Sequence, residues 1–190
     1  MKLAIRKSDG ILILGTRGSG KTYALTYILN KLKKYKWLVI DPVGAVSRYN
    51  LDEKYCALMQ VDILDESLDN IIERAFQLGV NVAIDEVSEF PYAKYSGIRK
   101  LVMMARNWNI GYVFTSRAPA DVHKSIINNS KYILLFHIHE TNALKYLNYF
   151  LDFDARELVS LSNYEFYIVK DGKTIMRNGN PVRFRIYDII

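Results

Sequence analysis

The chain has 190 residues, of which 50% are hydrophobic and 24% charged. That balance excludes the disordered and fibrous classes, and the length suffices for one core that buries roughly two thirds of the unfolded surface. A lone cysteine, Cys56, excludes an internal disulfide and points to a reducing compartment, while the formal charge of +6 suits a polyanionic partner.

The densest basic cluster, Lys31, Lys33, Lys34 and Lys36, also reads as a solvated helix end. The apolar run Ile11–Leu14 is too short for a signal peptide or a membrane span, and no other segment reaches span length. A soluble protein without a secretory signal is expected.

Taken in order, strand-length apolar runs alternate with helical patterns, which predicts an α/β domain with a mainly parallel sheet sandwiched by helices. The first strand, Ile11–Leu14, runs into Gly15-Thr16-Arg17-Gly18-Ser19-Gly20-Lys21-Thr22, and a helix over Lys21–Lys34 follows. Strand, glycine-rich turn and helix in that order are the context a P-loop requires. The glycines let backbone N–H groups turn inward around phosphate oxygens, and the helix presents its positive end to the same anion. Lys21 is then expected to bridge the β- and γ-phosphates of ATP, and Thr22 to offer its hydroxyl to Mg²⁺.

A strand at Trp37–Ile40 ends in Asp41-Pro42, and after a helix over Ser67–Leu78 comes the strand Asn81–Ile84. Asp85 and Glu86 close that strand. Asp85 is the expected second metal carboxylate, acting mostly through the water shell of Mg²⁺. Glu86 is expected to turn toward the γ-phosphate and polarise the attacking water.

The connection from Val87 to Gly97, leading to Arg99 and Lys100, interleaves Phe90, Tyr92 and Tyr95 with Lys94. Such a loop suits contact with a nucleic-acid backbone, and suits an ordinary exposed connection as well. Helices over Ile98–Asn107, Asp121–Asn128, Thr141–Phe150 and Asp154–Leu161 and strands over Tyr112–Thr115 and Tyr132–Ile138 complete the alternation.

His137 and His139 lie two apart on one strand face, a spacing that could serve zinc, but no cysteine or second histidine pair completes a tetrahedral set. They read as polar residues of a strand end. From Tyr164 onward an alternating run, Asp171-Gly172 and a second run predict a β-hairpin at the sheet edge. No linker or repeat divides residues 1–190, so one P-loop domain is expected.

Three segments resemble one family. Val39-Ile40-Asp41-Pro42, Asp85-Glu86, and Ala105-Arg106 through Thr115-Ser116-Arg117-Ala118-Pro119 follow the order and spacing of the HerA–FtsK superfamily of DNA-pumping ATPases. The resemblance runs from about residue 11 to 150, and in its length is similar to the genome-packaging ATPases of archaeal turreted icosahedral viruses. It implies a RecA-like fold, ATP and Mg²⁺ as cofactors, double-stranded DNA as partner, and a homo-oligomeric ring docked on capsid or portal-vertex proteins. The implied location is the host cytoplasm, or the virion vertex.

The family's sensor glutamine falls at Arg117 here, so Ser116 becomes the expected γ-phosphate sensor. A ring ATPase also implies an arginine supplied by a neighbouring subunit. Arg74, Arg99, Arg106 and Arg117 are candidates, with Arg106 ranked first on its match to the family.

The implied function is ATP-driven translocation of double-stranded DNA, with packaging into a preformed capsid as the specific form. An assembly or secretion ATPase of the filamentous-phage type is the alternative. A small-molecule kinase is a weaker one, since residues 117 to 160 hold only Arg117 and Arg156 where a kinase lid carries clustered arginines. A non-catalytic, ATP-binding assembly protein is the remaining rival.

Overall fold

The computed structural model describes residues 3–61 and 67–188. Strands β1 (Gly10–Leu14), β2 (Trp37–Ile40), β3 (Cys56–Met59), β4 (Asn81–Ile84), β5 (Tyr112–Ser116) and β6 (Tyr132–Phe136) form a parallel sheet in the order β6-β1-β5-β4-β2-β3. β7 (Glu165–Lys170) adds antiparallel to β6. β8 (Lys173–Thr174) and β11 (Phe184–Arg185) both pair with β7, toward opposite ends of it. Two short strands, β9 (Met176–Arg177) and β10 (Asn180–Pro181), pair with each other apart from the sheet.

The two faces of the sheet follow from strand periodicity. Ile11 and Ile13 point to the side covered by α1 (Lys21–Lys31), whose Ala24, Leu25, Ile28 and Leu29 are buried there. Leu12 and Leu14 point to the other side, covered by α2 (Leu68–Leu78), α3 (Ser96–Met104), α4 (Lys124–Asn129) and α5 (Thr141–Leu147). Full burial of β1, β2, β4, β5 and β6 explains why they read as unbroken apolar runs. The expected α/β sandwich is the observed one.

Several boundaries differ from expectation, for local reasons. α3 begins two residues early because Asp69 accepts the N–H groups of Ser96 (3.1 Å) and Gly97 (2.8 Å), capping it from α2. It ends at Met104, where the chain turns through Asn109 at φ 52° into β5. The predicted 121–128 helix is a 3-10 turn, Pro119–Asp121, followed by α4, whose start is capped by His123 accepting from Ser125 N–H.

The helix expected over 154–161 is a 3-10 segment, Ala155–Ser160, and α1 and α5 stop short of the predicted ends. The predicted hairpin forms on Asp171 (φ 50°) and Gly172 (φ 76°), but β7 lies inside the sheet and β8 and β11 form its edge. β3 was not expected. Three of its four residues are exposed, so it carries no buried periodicity to announce it.

Candidate functional site

Parallel strands bring their carboxyl ends to one rim, and the candidate residues collect there. The turn after β1 is pinned on both sides: Gly15 N–H donates to the Ser116 carbonyl at the end of β5 (3.2 Å), and Thr16 N–H to the His137 carbonyl just past β6 (2.9 Å). The Thr16 hydroxyl reaches the same carbonyl (3.0 Å). Gly15 has no room for a side chain, since a Cβ would come within 2.6 Å of Phe136 and 2.7 Å of Ser19 Oγ. Gly20 sits at φ 110° and launches α1, a conformation that suits glycine. Arg17 and Gly18 are exposed at the tip, and the buried Ser19 hydroxyl has no partner.

Lys21, 5% exposed, folds back over this turn. Its Nζ donates to the Thr16 carbonyl (3.1 Å) and lies 3.6 Å from Glu86 Oε1. Burial lowers its pKa, against the pull of Glu86 and Asp85.

The Thr22 hydroxyl donates to Asp85, 3.2 Å from each carboxylate oxygen, and Thr115 Oγ1 donates to Asp85 Oδ1 at 2.7 Å. Burial pushes the Asp85 pKa up to about 6 despite those two hydrogen bonds, with the charges of Glu86 and Asp41 adding to it. A hydroxyl and a desolvated carboxylate, with Lys21 alongside, are a hard-oxygen donor set that fits Mg²⁺, which binds through one or two carboxylates plus phosphate oxygens.

Glu86 adopts the left-handed conformation, φ 54° and ψ 60°, uncommon for such a residue and itself a mark of a functional position. That turn is what redirects its side chain after the strand. Glu86 N–H donates to Thr115 Oγ1 (2.9 Å), and Glu86 Oε2 accepts the Arg117 N–H (3.0 Å). The carboxylate is therefore held between Lys21 and the end of β5.

Of the predicted residues, the fold brings together Gly15 to Thr22, Asp85 and Glu86. Ser116 is fully buried, and its hydroxyl bonds Ser88 Oγ (3.1 Å) and the Ala118 backbone, while its carbonyl supports Gly15. The Arg117 side chain is exposed and paired with Glu89. Arg106 lies away from its own P-loop, in the turn before β5 at the opposite rim, beside a cavity of about 600 Å³ that Asp9, Asn107 and Lys131 also line. Arg74 bonds Gln77 on the outside of α2, and Arg99 is exposed on α3.

Two residues at this rim make contacts that the sequence reading did not assign to them. Thr115 links Asp85 to the backbone of Glu86, and the signal was register, since Ile84 pairs with Phe114 and the next residues on each strand are Asp85 and Thr115. Asp41 is an anchor for its own loop: its oxygens accept the N–H groups of Ala45 (3.0 Å), Val46 (2.9 Å) and Ser47 (3.4 Å).

The aromatic loop after Glu86 corrects an expectation. Phe90 and Tyr95 are buried edge to face, and Tyr92 stacks on His123 with centroids 4.1 Å apart. Lys100 is drawn to Glu73 (2.6 Å). These aromatics pack the core; Lys94 is exposed with its ammonium 5.3 Å from the centroid of the Tyr95 ring, and Arg99 is exposed on α3.

His137 does not act through its ring at the P-loop. Its Nδ1 bonds the Leu161 carbonyl (3.1 Å), and its own carbonyl holds Thr16.

Comparison with solved structures places this fold. The genome-packaging NTPase B204 of Sulfolobus turreted icosahedral virus 2, solved with ATP-gammaS, superposes with a TM-score of 0.75 at 16% identity, covering 95% of this chain and 98% of that one. The DNA-packaging ATPase B204 of Sulfolobus turreted icosahedral virus gives 0.72 at 19%, with the same coverage. The pCW3 conjugation coupling protein TcpA gives 0.64 at 19%, covering 94% of this chain and 60% of that one.

No family model matches the chain, and no curated protein matches it in sequence. The resemblance read from the motifs therefore holds in three dimensions, at the level of the fold. No helix among the described residues is long and apolar enough to cross a membrane.

Proposed function

We propose that the chain is an ATP-hydrolysing motor that moves double-stranded DNA, and that it packages a viral genome into a preformed capsid. The observation that carries hydrolysis is the convergence of Lys21, Thr22, Asp85 and Glu86 at one rim, with Glu86 held in a left-handed turn. Gly15 to Thr22 cradle the phosphates, and Lys21 swings from the Thr16 carbonyl to the β- and γ-phosphates. Thr22 and Asp85 would hold Mg²⁺, which would supply charge neutralisation at the phosphate oxygens. Glu86 orients the attacking water and accepts its proton. Ser116 is the candidate sensor at the end of β5.

Arg106 is too remote to serve its own site, so it acts on a neighbour, and a closed ring lets every subunit both give and receive one. Translocation of DNA, the capsid or portal-vertex partner and the host-cytoplasmic setting rest on the likeness to packaging NTPases. A second reading, an assembly or secretion ATPase of the filamentous-phage type, draws on the likeness to the cytoplasmic domain of the Type VII secretion ATPase EccC of Thermomonospora curvata (TM-score 0.56, 13% identity, 25% of that chain covered).

The deciding experiment is ATP turnover with and without duplex DNA over a salt series. Stimulation that weakens as salt rises supports the DNA motor. Turnover indifferent to DNA moves the assignment to the second reading, and ATP binding without turnover leaves an assembly protein. Mixing Arg106→Ala with Glu86→Gln subunits tests the ring. Recovery of activity that neither variant has alone supports Arg106 in trans, and an assembled but inactive mixture removes it.

A further inference from the structure

Tyr164 is a strained residue attached to the phosphate loop. Its φ is 67°, in the region that bulky side chains avoid. Its N–H donates to the Ser19 carbonyl (3.0 Å), and its ring lies so close over Gly20 that a Cβ there would meet Cδ1 at 2.7 Å. Yet 51% of it remains exposed. Burial does not explain a ring fixed this way, since half of it faces solvent.

Its neighbours continue the surface. The Tyr23 ring stands edge-on to Tyr164 at 5.6 Å, and Tyr23 and Tyr187 share a hydrogen bond of 2.9 Å between their hydroxyls. Tyr27 meets Tyr187 edge-on at 5.6 Å, and Tyr49 lies 6.1 Å from Tyr23. Past Tyr23 an open groove of about 650 Å³ runs along α1.

Chemistry sets what belongs here. Lys21 and Thr22 face Glu86 and Asp85, which fixes the γ-phosphate end of a bound triphosphate. Gly20 and Tyr23 flank Lys21 and Thr22 on the side where the Tyr164 ring lies, so that ring is placed to meet the ribose and base end. We propose that the nucleotide base stacks on the ring of Tyr164, with Tyr23 closing one side, and that this aromatic surface rather than hydrogen-bond readout holds it. This deepens the proposed function and rests on its reading of residues 15 to 22 as a phosphate cradle.

The hydroxyls of Tyr23 and Tyr187 bond each other, and the flat face of the Tyr164 ring favours any extended base. ATP and GTP are expected to bind within about threefold of each other, because every purine offers the same flat face.

The test is calorimetric binding of Mg-ATP and Mg-tripolyphosphate to the full chain. Tyr164→Asn keeps a residue that tolerates the left-handed backbone and removes the ring. It is expected to weaken ATP about tenfold, a typical loss for one stacked base, and to leave tripolyphosphate unchanged. Tyr164→Phe is expected to bind ATP like the parent.

ATP affinity unchanged in Tyr164→Asn overturns the proposal. Equal weakening of ATP and tripolyphosphate overturns it too, and makes Tyr164 a support for the loop. A parent protein that binds neither ligand overturns the phosphate-cradle reading instead, and the base shelf with it.

Discussion

The two rims of the sheet handle buried charge in opposite ways. At the amino-terminal rim, Asp9 is 6% exposed and accepts both the Arg6 N–H (2.8 Å) and the Lys131 ammonium, 3.0 Å from each of its oxygens. Close by, the buried Tyr112 hydroxyl is matched by Ser130. The buried charges of that rim are paired, although the buried Trp37 indole N–H and Asn81 amide nitrogen there have no partner. At the carboxyl-terminal rim, Asp85 and Lys21 are as deeply buried, yet burial moves both pKa values toward their neutral forms. Charges held without full compensation mark a surface shaped for something that arrives with its own charge.

Substitutions can break this contrast, beginning with the largest effect. Lys21→Ala should abolish phosphate release and weaken nucleotide binding, because Lys21 is the only buried Lys or Arg among the described residues and it sits on the proposed phosphate cradle. Glu86→Gln should lower turnover by about two orders of magnitude while MgATP affinity stays within a few fold, read by steady-state kinetics beside calorimetry. Near-normal turnover in that variant removes Glu86 from the chemistry. Thr115→Val should cost about tenfold in turnover, since it unties Asp85 and the Glu86 backbone together.

A pH experiment sharpens the comparison. The Asp85 carboxyl is raised from 3.8 to about 6 in the fold, so its contribution to stability is complete below about pH 4 and is lost as pH rises through about 6. Denaturant melts of the nucleotide-free protein should show Asp85→Asn more stable than the parent at pH 7.5, by on the order of 2 kcal/mol, and no more stable at pH 4. Identical melting of the two proteins at pH 7.5 would remove the strained-carboxylate account.

The opposite rim should behave in reverse. Lys131→Met strands Asp9 and should cost about 1–3 kcal/mol of stability, with turnover per folded molecule unchanged.

Much of this was legible in the sequence because it depends on local order. The run from Ile11 through Thr22 specifies strand, turn and helix in one stretch, and Asn81 to Glu86 does the same for the second half of the site. Thr115 was harder to see, since its role appears only once β4 and β5 are set in register. Ser116, chosen by analogy, lies one residue over, and its hydroxyl bonds Ser88 in the turn after β4 and the backbone of Ala118.

The placement of Tyr164 beside the glycine-rich turn gave no signal, because it depends on a backbone angle and on contact with a glycine far away in sequence. The aromatic loop misled for the opposite reason. Composition cannot distinguish a tyrosine packed inward from one facing solvent, and Tyr95 is buried.

The double anchorage of the P-loop has a mechanical consequence. Gly15 is bonded to the end of β5 and Thr16 to the end of β6, so the phosphate end of the site is tied to two strands of the sheet and is stiff. The segment from Glu86 to Phe90 is fixed too, through side chains of Thr115, Ser116 and Arg117 and through the buried Val87 and Phe90. Both halves of the rim are thus built on the sheet, so a displacement of one strand end would be carried to the loop bonded to it.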